Sequence, residues 1–211
     1  YLSDYATGDE LEFYIVLVAP TDDNVPGLTP RLALKRPGDR IFLGSKVAGR
    51  YTLAPVVDPS RTCIFFSTGT GEAPHNAMVT ELLRKGHHGP MVSAVTVRQW
   101  DDLGYRSEHE KLDARYPNYH YLPLPTREPD FPKTYLQDVV SKGMLSSHYG
   151  IELDPDTTDV FLCGNPSMIG LPEGDPEEWP EAKGVVELLT KRGFKLDRRG
   201  DPGNIHFEEY W

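Results

Sequence analysis

From Thr62 onward the chain alternates short apolar runs with helix-patterned stretches, and few folds accommodate that order. "TCIFFST" (62–68) and "MVSAVTV" (91–97) are near-continuous apolar runs of the kind strands show when both sheet faces are covered. "YHYLPL" (119–124) and "TDVFLCG" (158–164) repeat the pattern. Helical segments lie between and after them. One runs from Pro74 to about Lys85 with Met78, Val79, Leu82 and Leu83 on one face, and others cover 106–116 and 133–145. A last one falls mostly after Pro180 and stops at Gly193. Strands and helices in this alternation predict an α/β fold, an open parallel sheet with right-handed crossovers, over residues 58–211. That stretch can bury a core of its own.

Residues 1–57 read differently. "LEFYIVLVA" (11–19), "DRIFLG" (39–44, after the "RPGD" turn) and "GRYTL" (49–53) are strand-like. Between the first two, "GLTPRLALKRPGD" predicts a short helix started by Thr29 with Pro30 at its first position. A few strands and one short helix do not close a core. The expectation is the C-terminal half of an antiparallel β-barrel, completed by a missing N-terminal segment or a second polypeptide.

A formal charge of -10 over 211 residues argues against a general nucleic-acid binder. No apolar run approaches the ~20 residues a membrane-spanning helix needs, so membrane insertion is not expected. The two cysteines, Cys63 and Cys163, sit in strand-like runs and read as buried thiols, which suits a reducing cytoplasm. The seven histidines show no recognised ligand spacing, and no metal site is expected.

In "STGTGEAP", Gly69 and Gly71 let the chain turn sharply between strand and helix, and Pro74 suits the helix's first turn. The free N–H groups of such a turn hold a pyrophosphate, or the glycines are there for steric reasons alone; the residues leave both open. Glu72 fits an anion site only if it points away. Two more stretches follow strands at the same sheet end. "CGNPSM" offers Gly164 for close backbone approach. "LPLPTREPDFPK" brings Thr126, Arg127 and Lys133, and Arg98 follows the "SAVTV" strand. A hydroxyl, two guanidinium forks and a point charge suit a phosphate monoester. Taken singly, each reads first as a solvated surface group; their shared place at the carboxyl ends of strands is what brings a phosphate pocket level with that reading.

In their order, "GLTPRL" (27–32), "GTGEAP" (69–74), "VRQ" (97–99), "TRE" (126–128), "CGNPSM" (163–168) and "EEYW" (208–211) resemble the ferredoxin–NADP(+) reductases, particularly the bacterial branch. The resemblance implies FAD on an antiparallel barrel (1–57) and NADP(H) on an α/β domain (58–211), with nicotinamide and flavin meeting between them. It implies that Leu28 and Thr29 receive the FAD pyrophosphate. Gly69, Thr70, Gly71, Ala73 and Pro74 would lie under the NADP pyrophosphate, with Gly164, Asn165 and Met168 beside them. Arg98, Thr126, Arg127 and Lys133 would hold the 2'-phosphate. Cys163 would neighbour the reacting nicotinamide, with Glu208 and Tyr210 in the flavin-covering tail and Trp211 stacked on a ring. The implied partner is ferredoxin or flavodoxin. The alternative is an NADH-dependent reductase component feeding an oxygenase or another redox partner.

Overall fold

The computed structural model describes residues 11–18, 21, 27–46, 48–174 and 178–210. Five strands, β1 (Thr62–Thr68), β2 (Met91–Val97), β3 (Tyr119–Pro125), β4 (Thr158–Gly164) and β5 (Ile205–Glu209), form one sheet in the order β3-β2-β1-β4-β5. Every pairing is parallel. Because side chains alternate along a strand, β1 feeds two cores. Ile64 and Phe66 pack with Val92, Ala94, Val160 and Leu162 beneath helices α4 (Leu136–Ser141), α5 (Met144–Tyr149) and α7 (Val185–Thr190). Cys63 and Phe65 face the other way, onto Met78, Val79 and Leu82 of α2 (Glu72–Arg84) and Leu112 of α3 (Arg106–Arg115). Strands covered on both faces are why their sequences lack polar alternation.

The parallel sheet and its helices follow the sequence reading, with three adjustments. Helix α2 begins at Glu72, so Pro74 is its third residue; the N–H it lacks there is still one of the unpaired first four. The stretch 133–145 is not one helix. Gly143, at φ +63°, separates α4 from α5. The terminal helix is shorter than expected, Val185–Thr190, and the chain turns at Gly193 with φ +90°. A fifth strand also appears where only a tail was expected. Residues 205–209 pair with β4, Cys163 opposite Glu208. It sits at the sheet edge and buries only Ile205 and His206, so its apolar signal is weak.

The barrel strands expected over 11–19, 39–44 and 49–53 are not formed among the described residues. Leu11, Phe13, Val16, Leu17, Ile41 and Phe42 are exposed. A strand is a ladder, and these runs have no neighbour here to complete one. Helix α1 (Thr29–Ala33) does form, with Leu28 as its cap residue and Thr29 and Pro30 opening it. Thr29 is thus the first helical residue and not the cap.

Two glycines close the base of the acidic, Pro-rich excursion between α6 (Pro166–Ile169) and α7. A Cβ at Gly184 would stand 2.4 Å from the Gly170 Cα, so the chain leaves and re-enters the core at one pinch.

Candidate functional site

Strand order reverses between β1 and its neighbours β2 and β4, and the loops after these strands meet at the carboxyl end of the sheet. Open parallel sheets bind ligands at such a point. Gly69 sits at φ +52° with open space where a Cβ would be, and residues 69–71 make one 3₁₀ turn before α2. Gly71 has a different task. A Cβ there would lie 2.3 Å from the Cys163 carbonyl oxygen. Gly164, at φ +126°, is pressed against Thr68 in the same way, with its Cβ position 2.2 Å from the Thr68 Oγ1. That oxygen accepts from the Asn165 N–H at 2.8 Å, and Asn165 Oδ1 accepts from Ser167 N at 2.8 Å to cap α6. Gly71 and Gly164 therefore serve loop packing, and Gly69 alone of the three opens onto free space.

In front of that turn lies a cavity of about 750 Å³. Thr68, Gly69 and Thr70 form its floor, and Thr96, Val97 and Arg98 come from the end of β2. Thr126, Arg127, Lys133 and Tyr135 come from beyond β3, and Asn165, Ser167 and Met168 from beyond β4. Tyr14, Val16 and Val18 add a wall from the N-terminal stretch, anchored where the Tyr14 hydroxyl donates to the Asp102 carbonyl at 2.6 Å.

The cavity's charge is one-sided. Elsewhere on the domain, Arg61 pairs with Asp159, Lys142 with Asp138 and Lys191 with Glu187. Arg98, Arg127 and Lys133 form no ion pair with any described residue. Lys133 stands 5.3 Å from the Tyr135 ring centre, which holds its ammonium at the cavity mouth. Asp102 also reaches the cavity, but its carboxylate accepts from the Gln99 N–H at 3.0 Å. Unpaired cations at a cavity give it a local positive potential that favours an anion. Thr126 differs from expectation in one respect: its hydroxyl donates to the Val97 carbonyl at 2.9 Å, leaving it an acceptor towards the cavity.

Glu72 is resolved by burial. It is fully buried and points into the sheet, where the Tyr121 hydroxyl donates to its Oε1 at 3.1 Å and His109 Nε2 lies 3.5 Å away. Burial pushes its pKa up to about 7, against the smaller opposing effects of the Tyr121 bond and a backbone bond at Tyr105. A carboxyl that turns away and is partly protonated near neutrality opposes an anion at the turn far less than an exposed, ionised one would.

Cys163 is also fully buried, and burial raises its thiol to about 11. Tyr210, placed by β5, hydrogen-bonds to it, and Glu208 lies opposite it in the ladder. Tyr51 joins this group, its hydroxyl 2.5 Å from His75 Nε2. Burial lowers His75 to about 3, so it is neutral at physiological pH. A thiol raised this far by burial is a poor nucleophile near neutrality.

The structure thus brings Gly69, Thr70, Arg98, Thr126, Arg127, Lys133, Asn165 and Met168 to one cavity. Gly71 and Gly164 pack behind it, Ala73 and Pro74 are half-buried in α2, and Cys163, Glu208 and Tyr210 gather separately on β4 and β5. Leu28 and Thr29 are not brought to the cavity; Thr29 Oγ1 accepts from the Val18 N–H at 3.3 Å. Trp211 lies outside the described residues. The sequence reading missed Tyr135, Gln137 and Ser167 on the cavity wall. Tyr135 is 43% exposed beside the cationic loop, and an aromatic following Lys133 was the available signal.

The family model "Oxidoreductase NAD-binding domain" matches residues 65–172, from within β1 to just beyond α6. The chain belongs to this family. Similar proteins include the "Flavodoxin/ferredoxin--NADP reductase" of Shigella flexneri, 29% identical over 163 residues, which are 76% of this chain and 63% of that protein. "Ferredoxin--NADP reductase A" of Sorangium cellulosum is 27% identical over 210 residues, covering 95% of this chain and 69% of the relative. A ferredoxin NADP+ reductase from Neisseria gonorrhoeae, solved with bound FAD and NADP, shares the fold at a TM-score of 0.72 and 18% identity. That alignment covers 92% of this chain and 71% of the other. The chain therefore spans about two thirds of the length of these relatives.

Proposed function

We propose that this chain carries the NADP(H) site of a cytoplasmic flavoprotein oxidoreductase that passes electrons between NADP(H) and a one-electron carrier, ferredoxin or flavodoxin, through FAD. The observation that carries the reading is the cavity at the carboxyl end of the sheet, edged by the unpaired Arg98, Arg127 and Lys133. A nucleotide with a 2'-phosphate supplies the dianion such a group needs, whereas an unphosphorylated ribose is met by an acid in most dinucleotide sites. Gly69 and the start of α2 take the pyrophosphate, and the Tyr135 ring offers a flat face to the adenine.

The nicotinamide end then runs past Asn165 and Met168 towards Cys163 and Tyr210. Cys163 keeps its proton and presents soft, uncharged surface beside the reacting ring, and Tyr210 covers it until nicotinamide enters. A bound flavin supplies the link between a two-electron hydride donor and a one-electron carrier. FAD and the carrier enter the proposal through the relatives' names and the Neisseria gonorrhoeae structure. On the same reading Leu28, which is 67% exposed, and Thr29, whose hydroxyl accepts from the Val18 N–H and can still donate, are assigned to the FAD pyrophosphate. We assign the barrel part to 1–57 and the nucleotide domain to 58–211 on the same basis.

Titration calorimetry of the purified chain with NADP+ and NAD+ tests the reading. Binding of NADP+ at least roughly tenfold tighter is expected from one well-placed charge-assisted phosphate contact. Equal affinities, or tighter NAD+, would reject the 2'-phosphate site and leave the NADH-dependent alternative in its place.

A further inference from the structure

We infer that Glu128 is a positioning residue for 2'-phosphate discrimination, acting by clamping together the two loops that carry Arg98 and Arg127. The inference rests on the nucleotide reading above. The β2–β3 ladder ends with Val97 opposite Pro125. Backbone bonds carry the pairing a little further, from Thr126 N to the Val97 carbonyl at 2.9 Å and from Arg127 N to the Arg98 carbonyl at 2.8 Å. There the two chains part, and Glu128 reaches across. Its Oε1 accepts from the Trp100 N–H at 2.7 Å.

Trp100 is a suitable post for such a clamp. It opens the 3₁₀ turn Trp100–Asp102, so its N–H has no partner within the turn and favours an anion. The β3 loop grips the same residue a second time. Phe131 meets the Trp100 ring edge-on at 5.1 Å, and a bond from Phe131 N to the Glu128 carbonyl at 3.3 Å holds the two gripping residues in one turn. The Arg106 guanidinium covers the indole at 4.5 Å from its centre. Only Gln99 separates Arg98 from Trp100, and Arg127 directly precedes Glu128, so the clamp, added to the Arg127–Arg98 backbone bond, fixes how the two loops diverge and where the guanidinium groups emerge.

That spacing matters because two like charges repel, and nothing in the free protein pulls them onto one point. A dianion bridges them at full strength only when their bases are held beforehand. Glu128 itself does not line the cavity, although Thr126 and Arg127 immediately before it do. Its Oε1 accepts from Trp100, so it acts through the loops and not by touching the nucleotide.

The test is calorimetric binding of NADP+, NAD+ and 2'-AMP to the wild-type chain and to Glu128→Ala, Glu128→Asp and Glu128→Gln. Ala has no acceptor and Asp keeps the charge but falls short by one methylene. Both are expected to weaken NADP+ and 2'-AMP roughly tenfold, the usual scale of a lost pre-organising contact, and NAD+ less than about twofold. Gln retains an oxygen for the Trp100 N–H and is expected to stay within about twofold of wild type for all three. If the Ala variant does not fold, the Asp and Gln pair decides the matter. Equal losses for NADP+ and NAD+ would mean a general structural role, and no loss for either would mean the clamp is idle. A Gln variant as weak as Asp would assign the effect to some other feature of the carboxylate. Each of those results overturns the inference. A wild-type chain that does not prefer NADP+ instead removes the reading on which it rests.

Discussion

Replacing Glu72 by Gln should stabilise the protein, and by an amount that depends on pH. Glu72 opens α2 directly behind the glycine turn and is fully buried. Its neighbours are Tyr121 and His109, with the Glu108 charge further off also acting to raise it, and burial lifts its pKa from 4.5 to about 7. A carboxyl whose folded pKa is raised is favourable to folding only while protonated. Its contribution is intact below pH 4.5 and is lost as pH rises through about 7, because the unfolded chain releases the proton first. Linkage puts the cost at about 1 kcal/mol at pH 5 and about 3 kcal/mol at pH 8. Gln is nearly isosteric and never charged, so it escapes this cost. His109 is lowered to about 4 by burial and His75 to about 3, so both stay neutral from pH 5 to 8 and leave the comparison undisturbed. Urea unfolding of wild type and Glu72→Gln across that range is the assay. The gap should widen with pH, and in parallel thermal melts at pH 8 the midpoint temperature should rise by about 6 °C or more for a domain of this size. A gap that stays constant with pH, or a Gln variant less stable at pH 8, would refute the reasoning. Either result would mean that His109 holds Glu72 ionised as an ion pair.

Gly71→Ala should cost at least about 2 kcal/mol and loosen nucleotide binding, since the new methyl meets the Cys163 carbonyl at 2.3 Å and backbone does not give way cheaply. Thermal melts and NADP+ titration check it, and a variant within about 0.5 kcal/mol of wild type would contradict the close packing of these loops. Cys63 and Cys163 are buried, with thiols raised to about 12 and about 11, so neither should be alkylated by iodoacetamide in the native protein at pH 7.5, and both should react in denaturant. Rapid native labelling of Cys163, read by mass spectrometry, would show that Tyr210 does not cover it.

The five-stranded parallel sheet was largely legible in advance, because β1, β2 and β4 are buried on both faces and β3 keeps an apolar run, and their sequences show it. The fifth was not. Residues 205–209 form a strand only because β4 offers an open edge, and an edge strand with two exposed acids carries little apolar pattern. The expected barrel strands fail for the converse reason. Their residues are strand-like, but a ladder needs a partner, and no described residue supplies it.

For the cavity, residue types and order were enough to single out Arg98, Arg127, Lys133 and the glycine turn, which the fold brings together. The sequence could not divide the labour among the glycines. Gly69 opens onto free space, whereas Gly71 and Gly164 exist for the contact between two loops whose residues are far apart in the chain. It could not say which way Glu72 points, that the Thr126 hydroxyl is taken by Val97, or that Glu128 reaches Trp100. Charge and backbone freedom are properties of single residues and can be read one at a time. Burial, hydrogen-bond partners and the spacing of two guanidinium groups belong to pairs, and only the folded arrangement of the loops decides them.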